Sequence, residues 1–211
     1  MISSVIDHSA SLGAAHHQGQ RLTCLAFAVS DVNRRLAPAP DVLSAEFLYQ
    51  HAGAITPGWV AGGPLYLTPA LKVADRPGQP LEADYPYQPT SGTTVAVPVQ
   101  PAGAQMFRSE LREIKRTSDV VVAELQSGHV VGLVIESTAT LMAPTNGVVA
   151  FSPMILPGRA HAVVAVGLGA TAAGQQYVRI RNSWGLKWGD QGHAWLPIEY
   201  IDLHTLQAFG R

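Results

Sequence analysis

The 211-residue sequence predicts an α+β chain, with helices in its first half and an antiparallel sheet in its second. Two patterns carry that expectation. From Cys24 to Leu36 the apolar residues Leu25, Ala28, Val29, Val32 and Leu36 recur at helical spacing. Beyond Gly128 the apolar residues instead run in short continuous blocks, among them Val130 to Ile135 and Ala162 to Leu168, separated by turn residues. Such blocks have the length of buried strands and fall far short of a bilayer span.

Thr23 is the candidate N-cap of the first helix, so Cys24 enters the first turn. The positive end of the helix dipole there favours an anion, hence a thiolate. Ala37 to Pro40 (A-P-A-P) ends this helix. Ser44 begins a second, A-E-F-L-Y-Q-H-A, which stops before Gly53. After a Gly- and Pro-rich loop through Pro64, Thr68-Pro69 opens a short third helix, A-L-K-V-A, with proline at its first position. The turn S-G-T-T from Ser91 and a Pro-containing connector lead to Gly103. Met106 to Lys115 reads either as a strand or as a surface helix. Ser118-Asp119 caps V-V-V-A-E-L-Q-S, closed by Gly128, although the valine run opposes a helix. The expected strands are then V-V-G-L-V-I-E, N-G-V-V-A-F, H-A-V-V-A-V-G, Q-Y-V-R-I-R-N-S-W and H-A-W-L-P-I. Gly167 to Gly174 (G-L-G-A-T-A-A-G) faintly matches a dinucleotide loop. Its glycine spacing is wrong and Q-Q-Y-V-R-I returns as a strand, so a hairpin turn is expected.

A net charge of −1, with no run of lysine or arginine, argues against a nucleic-acid groove and against a polybasic membrane patch. Eight histidines are present without H-E-x-x-H or paired-cysteine spacing, so no metal and no cofactor is expected. The single cysteine cannot make an internal disulfide. The opening residues lack the charged and apolar regions of a secretory signal. Both features point to a reducing compartment, and the chain is expected to be cytoplasmic.

The chemistry gathers on three residues. Cys24 sits at a helix start, His161 heads an apolar strand, and Asn182 precedes a Trp- and Gly-rich turn. A nucleophile, a base and an amide to orient the base are the parts of a Cys-His-Asn site. Five motifs occur in order along the chain: Q-G-x-x-x-x-C-x-A-F-A around Cys24, L-S-A-E-F from Leu43, Y-P-Y from Tyr85, H-A-V-V-A-V-G from His161, and N-S-W-G-x-x-W-G-x-x-G from Asn182. With them the sequence resembles the papain-family cysteine peptidases. In that family His and Asn lie roughly 130–150 residues after the cysteine. His161 matches this spacing and Asn182 slightly exceeds it.

The resemblance implies one peptidase domain over residues 1–211 with a papain-like two-lobed fold. The helical lobe would cover about 10–105. The antiparallel, β-barrel-like lobe would cover about 106–211 with the N-terminal residues, and the active site would lie in the cleft between them. It implies a thiol peptidase working through an acyl-enzyme, with Cys24 as nucleophile, His161 as base and acid, and Asn182 orienting the imidazole. Gln18 would donate to the oxyanion. Trp184 would shield the His161–Asn182 bond, Trp188 would line the leaving-group side, and Gly62-Gly63 would hydrogen-bond an extended substrate. The partner is then a peptide or protein substrate, with a protein regulator in place of the family's propeptide. The family departs from this chain at two positions: Leu25 stands where it has an aromatic residue, usually Trp, and Arg21-Leu22 stand where it has a disulfide cysteine just upstream of the nucleophile. A Cys-dependent acyl or amide transferase, a deamidase, or a non-catalytic peptide-binding module would keep the same fold.

Overall fold

The computed structural model describes residues 1–88, 90 and 96–211, so the Ser91–Thr94 turn lies outside the described residues. The chain divides into two compact units, Met1–His17 with Glu113–Gly210, and Gln18–Arg112 with Arg211.

The second of these is helical and holds α1 (Cys24–Leu36), α2 (Ala45–Ala54) and α3 (Leu67–Asp75). The apolar stripes converge: Ala26, Val29 and Val32 of α1, Leu48 and Ala52 of α2, and Ala70, Val73 and Ala74 of α3 are fully buried. Ser44 caps α2 as expected, its Oγ accepting the Phe47 N–H at 3.0 Å. Thr23 occupies the cap position of α1 but does not cap with its side chain. Its hydroxyl is drawn instead into a 2.7 Å bond with the Tyr87 hydroxyl. Pro69 is the third residue of α3 rather than the first, still inside the turn where a missing N–H costs nothing. Polar residues are buried between these helices and the chain beyond them: Gln79 accepts from Asn33 Nδ2 at 2.8 Å and donates to Ser30 Oγ at 2.6 Å and Ser44 O at 2.9 Å.

The sheet unit contains β1 (Ile2–Asp7), α4 (Ser118–Gln126), β3 (Val131–Glu136), α5 (Ala139–Met142), β4 (Ala160–Thr171), β5 (Gln176–Arg181), β6 (His193–Pro197), α6 (Ile198–His204) and β7 (Thr205–Gly210). With the short β2 (Arg112–Ile114) at its margin, the strand order is β2-β7-β3-β4-β5-β6, and β1 joins on β4. All pairings from β3 to β7 are antiparallel. Among the described residues the expected barrel-like sheet is not closed. The run of strands ends at three-residue β2 on one side and at β6 on the other, and β2 is too short to bring the edges together. β4 is the axis: β3 pairs with its first half and β1 with its second along one edge, while β5 covers the other edge. Val121 and Leu125 of α4 and Tyr200 and Ile201 of α6 join Leu133, Ile135, Val163, Ala165, Val178, Ile180 and Leu196 in one core. Each fully buried side chain of this kind is worth about 1.5–3 kcal/mol relative to exposure.

Other expectations meet corrections here. N-G-V-V-A-F is not a strand. Asn146 and Gly147 take positive φ, and reciprocal 3.0 Å bonds between Thr145 and Val148 close them into a turn. Within Met106 to Lys115 only β2 is regular. The Gly174 hairpin between β4 and β5 forms as expected, Gly174 N–H donating to Thr171 O at 2.9 Å.

Candidate active site

The candidate residues fall into two groups, one in each unit. In the sheet unit, antiparallel pairing sets the head of β4 beside the tail of β5, with Val164 opposite Arg181. His161 is the second residue of β4 and Asn182 is the first residue after β5, so the register itself brings them together. His161 Nε2 lies 2.6 Å from Asn182 Oδ1. The same oxygen accepts the Ser183 backbone N–H at 2.7 Å. An amide N–H requires an acceptor, so the carboxamide orientation is fixed, and Nε2 of His161 carries the proton. Nδ1 is left as the imidazole's basic atom.

His161 is buried and Asn182 is 2% exposed. Burial pushes the imidazole pKa down to about 4, against the Asn182 bond, which favours its protonation. Trp184 covers the pair, its ring centroid 4.3 Å from that of His161. Trp188 stands edge-on to Trp184 at 5.8 Å, sinks into the core, and donates its Nε1–H to Leu141 O at 3.0 Å. Trp188 is therefore a backing for Trp184 within this unit. Gly185 takes φ +79°, and a Cβ there would stand 2.6 Å from the His17 ring, so the glycine after the tryptophan is required. The loop is held from below by Gly185 N–H to His16 O at 2.7 Å. Asn182 Nδ2 is buried and meets no hydrogen-bond partner among the described residues.

In the helical unit, Cys24 is the first residue of α1 and half-buried. The Gln18 side chain is buried, its Nε2 donating to Arg21 O at 2.7 Å. Gln18 O accepts from the Tyr87 hydroxyl at 2.8 Å. Gly62 has φ +90°. Gly63 spends its N–H on Val60 O at 2.9 Å, while its carbonyl accepts from the Tyr49 hydroxyl at 2.8 Å and keeps a second lone pair. Trp59 closes the same turn, donating to Pro64 O at 2.9 Å.

The structure adds Arg21, Glu46 and Ser183 to these residues. A glutamate within the apolar A-E-F-L of α2 is the available signal, because an acid on a buried face requires a partner. Among the described residues no group of three or more His, Cys, Asp and Glu side chains is placed to hold a metal ion. Nor is any helix long and apolar enough to cross a membrane.

The solved structure of xylellain, a cysteine protease from Xylella fastidiosa, superposes with a TM-score of 0.78 at 20% identity, covering 99% of this chain and 85% of that one. Procathepsin L 3 of Tenebrio molitor larval midgut gives the same TM-score at 18% identity, covering 99% and 69%. The fold is thus papain-like. In sequence, cysteine proteinase EP-B 1 of Hordeum vulgare is 29% identical over 114 residues, 53% of this chain. That match covers 30% of the barley protein, and the match to a cathepsin L-like peptidase of Aedes aegypti covers 10% of it, so the curated relatives are matched over less than a third of their own length. The family profile described as papain family cysteine protease matches residues 61–201, which include Gly62, Gly63, His161, Asn182, Trp184 and Trp188 and leave Gln18 and Cys24 outside. With that match over most of its length, the chain belongs to the papain family of cysteine proteases.

Proposed function

We propose that the chain is a thiol peptidase that hydrolyses peptide bonds through a Cys24 acyl-enzyme. The observation that carries this reading is the buried His161–Asn182 bond of 2.6 Å beneath Trp184, in a chain of the papain family. The Cys24 thiolate, at the positive end of α1, adds to the scissile carbonyl carbon and forms a C–S bond. Gln18 Nε2–H and the Cys24 backbone N–H stabilise the oxyanion. Collapse breaks the C–N bond, and the proton that His161 Nδ1 took from the Cys24 thiol goes to the leaving amine. Water, deprotonated by His161 Nδ1, then cleaves the thioester, giving a carboxylic acid and restoring the thiol. Asn182 holds the ring in the tautomer this requires, and Trp184 keeps water from the supporting bond.

Gly62 and Gly63 are proposed to meet the substrate backbone, chiefly through the Gly63 carbonyl, since its N–H is already spent on Val60. Trp184 forms the leaving-group side, with Trp188 behind it. A single cysteine suits activity in a reducing compartment such as the cytoplasm.

The test is mass spectrometry of wild type and Cys24→Ala after incubation with an epoxide thiol inactivator and, separately, with a mixed peptide library. An adduct on Cys24 together with cleavage products that vanish in Cys24→Ala is the expected result. Absence of both would overturn the peptidase reading. Labelling accompanied by ammonia release or amine incorporation, without chain cleavage, would replace it with a transferase or deamidase.

A further inference from the structure

Immediately before Cys24 the helical unit buries a charge pair. Arg21 is 6% exposed and Glu46 is 1% exposed. Arg21 Nη1 bonds Glu46 Oε2, and Nη2 donates to Oε1 at 3.1 Å, a two-point fork. Nη1 also donates to Gln88 O, and the Gln88 N–H returns a 3.2 Å bond to Glu46 Oε2. The guanidinium lies between two rings, with Cζ 4.9 Å from the Tyr49 centroid and 4.7 Å from that of Tyr87. Burial works against its charge, but the hydrogen bond and charge of Glu46 outweigh it and raise the pKa above the ordinary arginine value.

A buried ion pair is a poor way to gain stability, because desolvation offsets most of the attraction and apolar residues of equal volume often do as well. Its distinctive property is geometric. The fork, the Gln88 carbonyl and the two ring faces together fix where Arg21 lies, and several chain segments depend on that place. The Arg21 carbonyl receives Gln18 Nε2. Tyr87 holds Gln18 O at 2.8 Å and Thr23 Oγ1 at 2.7 Å, on either side of Arg21 and next to Cys24. Tyr49, the other ring, holds Gly63 O at 2.8 Å.

We propose that Arg21 is a positioning residue: clamped by Glu46 between Tyr49 and Tyr87, it sets Gln18, the Cys24 loop and Gly62–Gly63 in one register. The catalytic part of this inference rests on the peptidase reading; the mechanical part does not. Lysine cannot take the place, since a point charge lacks the planar fork that meets both carboxylate oxygens and stacks between rings.

The experiment compares the full chain with Arg21→Lys, Arg21→Met and the double variant Arg21→Met/Glu46→Leu. Hydrogen exchange is read over peptides spanning residues 18–25 and 60–65, alongside kcat and KM on a peptide substrate. The double variant carries no stranded buried charge and is expected to remain folded. Its exchange in both segments should nonetheless rise about tenfold or more, and kcat should fall about tenfold. Arg21→Lys should fall between wild type and the double variant. Wild-type exchange and kcat in the double variant would overturn the proposal and reduce the pair to packing. A defect in Arg21→Met that Glu46→Leu fully repairs would do the same, showing that only charge balance matters. If wild type cleaves no peptide, the peptidase reading fails, and the exchange arm alone decides for or against the clamp.

Discussion

The buried imidazole makes stability depend on pH in a window that can be calculated. In the folded chain the pKa of His161 lies at about 4, against 6.5 for a histidine in the unfolded chain. Between those values the unfolded state takes up a proton that the folded state refuses. The contribution is therefore complete above about pH 6.5, declines as pH falls, and is gone near pH 4. At about 1.4 kcal/mol per pKa unit, the full effect is on the order of 3 kcal/mol. The perturbation is His161→Phe, made in a Cys24→Ala background so that neither self-digestion nor a thiolate partner intervenes. Urea unfolding of both proteins from about pH 7 to about pH 4 gives the stabilities. Carboxylates and the other histidines contribute to both curves, so the difference isolates His161. The Cys24→Ala protein should lose about 3 kcal/mol more than the Cys24→Ala/His161→Phe protein over this range. Parallel curves would refute the claim that His161 is held neutral by burial.

Three further outcomes follow from named contacts. Asn182→Ala removes the acceptor of a buried N–H and should cost about 1–3 kcal/mol of stability in urea unfolding, with a fall in kcat larger than any change in KM. Gly53→Ala would place a Cβ 2.5 Å from the Trp59 ring. Displacing that ring should shift tryptophan fluorescence and destabilise by about 1–3 kcal/mol. Gly132→Ala would bring a Cβ to 2.0 Å from Phe209 Cζ where β3 meets β7. A comparable loss is expected by thermal unfolding, and Phe209→Leu added to it should recover part of that loss, a coupling measurable as a double-mutant cycle.

What could be read from the sequence was what depends on local pattern. The helical stripe of α1 and the serine cap of α2 follow from spacing and composition, as do the strand blocks of β3, β4 and β5. What could not be read depends on distant partners. Thr23 is a sound cap by composition, yet Tyr87, far along the chain, takes its hydroxyl. N-G-V-V-A-F has strand composition, but Asn146 and Gly147 turn the chain before the valines can extend. β7 carries Leu206 exposed but Ala208, Phe209 and Gly210 buried in succession, a pattern whose meaning appears only once β3 lies beside it. At the site, His161 and Asn182 were legible from their motifs. The Arg21–Glu46 pair was not, because only the fold shows that two opposite charges share one dry place.

The first seventeen residues belong with the sheet, although the whole helical unit intervenes before the next strand of that sheet is made. β1 pairs with β4, and Arg181 at the end of β5 donates to the Gly13 and Ala14 carbonyls, both at 2.7 Å. During synthesis every residue of the helical unit except Arg211 has been made once the chain reaches residue 112. β1 must wait, unpaired, until the second half of β4 follows. The proposed nucleophile thus ripens with the early unit and the proposed base with the late one. A nascent chain of this design carries the proposed nucleophile for most of its synthesis before the proposed base has been made.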